Sequence, residues 1–190
     1  MAIRENFSYT DMDLWLNEKR VTEIECLIPD LTGVARGKIL PRTKFTEDRG
    51  MRIPEIILGM TVTGNSPSGD ERYDHAISTT DRYMILKADP TTITMVPWTK
   101  DPTGQVINDC YFANGELVDF APRSVLHRVL QMYRDKGWEP HVAPELEFYL
   151  TAKNIDPDLP LQALDGRRGR AETSRQEYSN DTVNEFDPLL

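Results

Sequence analysis

Val21-Thr22-Glu23-Ile24-Glu25-Cys26-Leu27-Ile28-Pro29-Asp30-Leu31-Thr32-Gly33-Val34-Ala35-Arg36-Gly37-Lys38-Ile39-Leu40 is the stretch whose reading decides the fold. Residues 21–28 alternate in polarity, which places one face of an extended segment on a core. Pro29 to Gly33 supplies turn chemistry, and Val34 to Leu40 resumes as an extended run, so the segment reads as a β-hairpin. Upstream, Asp11 to Lys19 carries apolar residues at 12, 15 and 16 behind Thr10, a residue type that caps helices; this predicts a short amphipathic helix lying as a lid on the sheet. Downstream, Lys44 to Leu58 is mixed, with room for another short helix, and Gly59 to Tyr73 is rich in Gly, Ser, Asn and Asp and reads as a long surface loop. Strands are expected at Arg82–Lys87, Thr92–Pro97 and Gln105–Phe112. Residues 1–112 therefore read as a small, mostly β domain with one or two helices.

After Asn114-Gly115 the pattern changes. Pro122-Arg123-Ser124 is followed by apolar residues at Val125, Leu126, Val129, Leu130 and Tyr133, and the run closes on Asp135-Lys136-Gly137. Pro just inside the start and Gly just past the end mark a helix. Trp138 to Leu150 reads as an extended strand and Asn154 to Gly169 as a Pro-punctuated loop, while Arg170 to Leu190 holds no complete element that could close a core. This helix and strand look like the opening of a second domain, since so apolar a strand wants neighbours on both sides. The simpler alternative is that the strand joins the first sheet.

The 190 residues are 39% hydrophobic and 28% charged, enough to bury a core. With 22 Lys and Arg against 31 Asp and Glu, the formal charge of −9 repels nucleic acid and anionic membrane. No apolar run approaches the roughly 18 residues of a membrane span, and the first residues lack a signal-peptide core, so the expected location is the cytoplasm. Cys26 and Cys110 stand far apart without metal-ligand spacing, which predicts reduced structural thiols. There is no phosphate-binding glycine loop, no dinucleotide fingerprint and no Ser/His/Asp order. His75, His127 and His141 share no ligand spacing and read as surface or packing residues.

His141-Val142-Ala143-Pro144-Glu145-Leu146-Glu147-Phe148-Tyr149-Leu150 is the segment that points to chemistry. In a strand, Glu145, Glu147 and Tyr149 would share one face, with successive same-face positions roughly 6.5–7 Å apart. Two adjacent carboxylates repel unless a cation lies over them, and hard divalent ions such as Mg²⁺ or Mn²⁺ prefer carboxylate oxygens. Two carboxylates do not complete an octahedral site, and a solvated strand face explains an isolated E-x-E equally well.

The motifs taken together resemble the glutamine synthetase family. The run Ala121-Pro122-Arg123-Ser124-Val125-Leu126, a helix, Gly137, and then Ala143-Pro144-Glu145-Leu146-Glu147-Phe148-Tyr149-Leu150 is similar to the opening of that family's catalytic domain. Residues 21–41 resemble its β-grasp domain. Arg36-Gly37-Lys38 and the late runs Arg175-Gln176-Glu177-Tyr178-Ser179 and Asn184 to Leu189 look most like the γ-glutamylpolyamine (γ-glutamylputrescine) synthetase branch. The resemblance implies an α+β chain: a β-grasp domain over residues 1–112, then residues 113–190 as the incomplete start of a catalytic barrel.

It also implies an ATP-dependent ligase that phosphorylates the γ-carboxylate of glutamate and lets an amine displace the phosphate, with two divalent cations, Mg²⁺ or Mn²⁺, bridging the phosphates. By position, Glu145 and Glu147 inherit metal-ligand roles. Ammonia-using members carry an Asp-Gly-Ser-Ser loop whose Asp helps hold ammonium in the neighbouring subunit's site; here the loop reads Val62-Thr63-Gly64-Asn65, with Thr63 in the Asp position. A neutral hydroxyl favours a primary amine or polyamine over ammonium. Thr63, Gly64 and Tyr178 are thus candidate substrate-loop residues, and Arg175 lies beside Tyr178. The acidic run Asp70 to Asp74 reads first as a solvated face and second as an attractor of polycations, and Arg36 and Lys38 as a paired, exposed strand face before a substrate contact. Double-ringed homo-oligomers with sites shared between subunits are the family's assembly. Its members are much longer chains, so the expectation is a piece of a longer enzyme with no ligase activity by itself. The alternatives are an ammonia-using glutamine synthetase with a divergent loop, or a non-catalytic β-grasp interaction module.

Overall fold

The computed structural model describes residues 6–66, 77, 82–148, 150–166, 169 and 179–186. The chain falls into two compact units, Met1–Pro140 and His141–Leu190.

In the first unit the N-terminal helix α1 spans Tyr9–Glu18 and starts two residues earlier than Thr10 predicts, because Ser8 caps it. The Ser8 hydroxyl accepts from the Asp11 amide at 3.2 Å while the Asp11 carboxylate accepts from the Ser8 amide at 2.9 Å, a reciprocal capping box. Met12 and Leu16, one turn apart, are fully buried on the sheet, so the helix is the expected lid.

The hairpin forms as read: β1 (Glu23–Pro29) and β2 (Ala35–Pro41) pair antiparallel, Ile24 opposite Leu40 and Ile28 opposite Arg36. Gly37 is required there, since a Cβ would fall 1.9 Å from the Cys26 carbonyl oxygen. Helix α2 (Arg42–Asp48) and strand β3 (Gly50–Pro54) follow, then a 3₁₀ turn over Glu55–Gly59. Strand β4 (Tyr83–Ala88) and the two-residue β5 (Thr94–Met95) both run antiparallel beside β6 (Thr103–Tyr111), separated by a 3₁₀ turn at Pro90–Thr92. That turn, nucleated by Asp89 accepting from the Thr91 amide at 3.0 Å, takes Thr92 out of the strand expected over Thr92–Pro97.

Among the described residues these strands make one mixed sheet in the order β2-β1-β6-β4-β3, with β5 also on β6. Its one parallel pair is β1 with β6, Glu23 opposite Thr103. Alternate residues point inward: Ile24, Cys26 and Ile28 from β1, Met84 and Leu86 from β4, Val106 and Cys110 from β6. With α1, Phe45 and Leu58 they form the core.

Helix α3 spans Pro122–Asp135, and Gly137 beyond it takes φ +69°, as the Pro and Gly punctuation predicts. Arg123 ties its first turn to the sheet, donating from Nε to Asp109 at 2.8 Å and from Nη2 to Asp89 at 2.6 Å. Ser124 is buried, but Val125, Leu126, Val129, Met132 and Tyr133 all remain exposed.

The second unit corrects one expectation. Among the described residues of 138–150 no β-ladder forms; just beyond it Thr151 makes an antiparallel bridge with Ala163. A strand exists through the hydrogen bonds of a neighbour, and no described segment offers one to 141–148. In the stretch expected to hold no complete element able to close a core, a seven-residue helix forms, α4 (Asn180–Phe186).

Candidate functional site

The turn carrying Thr63 is built from Thr61 outward. The Thr61 amide donates to the Asn65 carbonyl at 2.8 Å, and the Gly64 amide donates to the Thr61 carbonyl at 2.9 Å. Gly64 sits at φ +82°, a conformation that favours glycine. The Thr61 hydroxyl accepts from the Asn65 amide at 3.1 Å and lies 3.0 Å from the Thr63 hydroxyl, which also accepts from the Asn65 side-chain amide at 3.2 Å. Thr63 is exposed on this closed five-residue turn, beside Val62, which is 71% exposed. The structure thus brings Thr63 and Gly64 together as one unit.

An anchor not foreseen in the sequence holds that turn. Asp30, 1% exposed, accepts from the Thr32 amide and hydroxyl and the Val34 amide through one oxygen, at 2.9, 2.7 and 2.9 Å. Its other oxygen accepts from Arg36 Nε at 2.9 Å, and Arg36 Nη2 continues to the Thr61 carbonyl at 3.3 Å. Burial pushes the Asp30 carboxyl up, but hydrogen bonds from Thr32, Arg36 and Val34 outweigh it and hold the group below the usual carboxylate range. Arg36 is therefore more than half of an exposed strand face; the signal available in sequence was an Asp opening a hairpin turn and an Arg on the return strand. Lys38 fits the structural reading, donating from Nζ to the Arg52 carbonyl at 2.9 Å.

Glu145 and Glu147 lie in the second unit, both exposed. Their would-be buried neighbours are exposed too, Leu146 at 89% and Phe148 at 65%. Their oxygens are the donor chemistry a hard divalent cation takes, yet among the described residues no group of three His, Cys, Asp or Glu side chains comes together around an ion-sized space. Tyr178, Arg175, Tyr149, His75 and the acidic run Asp70 to Asp74 fall outside the described residues. His127 Nε2 stands 3.6 Å from Asp109, and His141 is exposed.

A concave area lined by Arg82, Tyr83, Phe112, Ala113, Asn114 and Glu116 contains none of the residues singled out in sequence. Of its polar groups, Arg82 pairs with Glu55 at 3.1 Å and Asn114 with Glu116 at 2.8 Å.

Residues 119–190 match the model of the glutamine synthetase catalytic domain. Over 172 residues the chain is 31% identical to gamma-glutamylputrescine synthetase of Escherichia coli K12, an overlap covering 88% of this chain and 35% of that protein. The chain belongs to the glutamine synthetase family. A glutamine synthetase of Pyrococcus horikoshii is 29% identical over 148 residues, covering 78% of this chain and 30% of that one. A glutamate–isopropylamine ligase of Pseudomonas sp is 30% identical over 129 residues, covering 66% and 28%. The chain thus spans about a third of the length of these relatives. A solved structure, a complex of GmaS with ADP, shares the fold with a TM-score of 0.51 at 22% identity, over 67% of this chain and 26% of that one. No described helix is long and apolar enough to cross a membrane.

Proposed function

We propose that this chain is the N-terminal portion of an ATP-dependent glutamate–amine ligase whose amine is a polyamine or another primary amine. In this reading a γ-carboxylate oxygen of glutamate attacks the γ-phosphorus of ATP and ADP leaves. The amine nitrogen then attacks the acyl carbon, phosphate leaves, and the nitrogen loses a proton to give the γ-glutamyl amide. A divalent cation, Mg²⁺ or Mn²⁺, would neutralise charge on the phosphates when bound. Glu145 and Glu147 would supply part of its oxygen shell, with the remaining ligands drawn from outside the described residues. Residues 1–112 act as a β-grasp domain and residues 113–190 open the catalytic domain.

The observation that carries the choice of amine is the Thr63 turn. A neutral hydroxyl, already engaged with Thr61 and Asn65, offers no anionic charge to hold NH₄⁺. The exposure of the turn on the first unit supports a role at a neighbouring subunit's site in a ringed homo-oligomer of cytoplasmic enzyme. The exposed apolar face of α3 supports a larger catalytic domain around it.

The test is phosphate release from ATP by the full open reading frame carrying this sequence, with glutamate and a panel of diamines, monoamines and ammonia. Glutamate-dependent release with an amine, exceeding that with ammonia at least tenfold in kcat/KM, is expected. A preference for ammonia would make it a glutamine synthetase, and no amine- or ammonia-dependent release would leave a binding module. The 190-residue chain by itself is expected to be inactive.

A further inference from the structure

Arg36 connects two features that are distant in sequence. On one side is a carboxylate with no freedom left: Asp30 is buried and accepts four hydrogen bonds, three of them from its own turn. On the other is the Thr61 carbonyl, which the Gly64 amide also uses to close the turn. The guanidinium is planar and rigid, so fixing Nε on Asp30 also fixes where Nη2 points. The Leu31 amide reinforces the link, donating to the Leu58 carbonyl at 2.8 Å just before the turn begins.

We propose that Arg36 is the positioning residue for amine discrimination: seated on Asp30, it fixes the Thr61 carbonyl and, through the Thr61–Asn65 turn, the place of the Thr63 hydroxyl. Its consequence for substrate choice rests on the reading of Thr63 as an amine-facing residue; its consequence for the turn does not.

Two measurements separate these. In the 190-residue chain, amide hydrogen exchange is followed at Gly64 and Asn65, with Ile107 and Val118 as references within the sheet region. A lysine can donate to Asp30 or to Thr61 but cannot reproduce the fork. R36K should therefore speed exchange at Gly64 and Asn65 about 5–10-fold relative to the references, the size of one lost hydrogen bond. R36Q should do so at least as strongly. Should R36Q unfold the chain, the references lose protection as well and R36K decides. Unchanged exchange at Gly64 and Asn65 in R36K overturns the positioning role. In the full-length enzyme, R36K should raise KM for the amine several-fold more than KM for ATP and shift the ratio of amine to ammonia kcat/KM; a general structural defect would leave that ratio in place. Loosened exchange with an unmoved ratio would keep Arg36 as the positioner of the turn and overturn the amine-facing reading of Thr63.

Discussion

At the Thr61–Asn65 turn, Thr61 uses its amide, carbonyl and hydroxyl on partners within the first unit. At Glu145 and Glu147, in the second unit, the backbone has no ladder and the side chains between and beside the carboxylates stand in solvent. Both stretches carry residues singled out for chemistry, yet only one has its geometry set by nearby chain. A turn is closed by residues a few positions away and by one arginine from an adjacent hairpin. A strand is a property of a pair and takes its shape from whatever runs alongside.

The contrast is sharpened most strongly by core truncations. Leu86→Ala, at a side chain 1% exposed in β4, should cost about 2–5 kcal/mol in urea unfolding. The paired substitution Leu146→Ser plus Phe148→Ser in the exposed stretch should change the same transition by less than about 0.5 kcal/mol each. A comparable loss at both places would mean that 141–148 is packed in solution.

Next in size is Arg123→Ala. It would leave Asp89 and Asp109 facing each other without their shared cation, at side chains 22% and 23% exposed. A loss of about 2–3 kcal/mol is expected, since removing one partner strands the other charges. A loss of protection confined to the amides of α3 would assign the triad to helix docking alone.

The thiols give the pH arm. Burial pushes both Cys26 and Cys110 up to about 12 from an ordinary 9.0, with the Asp109 charge adding to the effect at Cys110. The unfolded chain therefore loses these protons first as pH rises. The stabilisation is complete below about 9 and is lost progressively as pH climbs toward 12. Urea midpoints should fall over that window and less so in the Cys26→Ala, Cys110→Ala double variant. Alkylation at pH 8 should proceed only through unfolding; fast labelling of the native chain would contradict the burial of either thiol.

The smallest effect expected is metal binding by the chain itself. With Glu145 and Glu147 as its ligands, Mn²⁺ should bind with millimolar affinity or weaker, broadening resonances of 143–148. Loss of that broadening in Glu145→Gln plus Glu147→Gln, with broadening elsewhere unchanged, would confirm the pair as the locus. Tight binding would reveal further ligands.

What the sequence disclosed follows the same division. The hairpin was legible because alternation and the Asp30 to Gly33 turn are encoded side by side, and α3 because Pro122 and Gly137 punctuate it. Strand β3 was missed because Gly50-Met51-Arg52-Ile53-Pro54 is short and becomes a strand only through β4, with Met51 opposite Leu86. The segment 138–150 erred the other way: its composition reads as strand, but composition does not provide a neighbour. At the candidate site, Thr63 and Gly64 were legible as a loop. The Asp30–Arg36–Thr61 link was not, because Asp30 had a sufficient reading as a turn residue and Arg36 as an edge charge.

The parallel pairing of β1 with β6 also bears on how the chain comes into being. Glu23 meets Thr103 across 80 intervening steps of chain, and the remaining strands are inserted between those two events. During synthesis at about 5–20 residues per second, the completed hairpin would wait roughly 3–14 s before β6 is made. For that interval Ile24, Cys26 and Ile28 are covered first by α1 and then by core residues made after the hairpin, Phe45 and Leu58 among them. The capping box at Ser8 and Asp11 thus has a second significance: it favours Tyr9–Glu18, an element made before the hairpin, so that the lid of the finished fold is already present in the chain when the hairpin emerges.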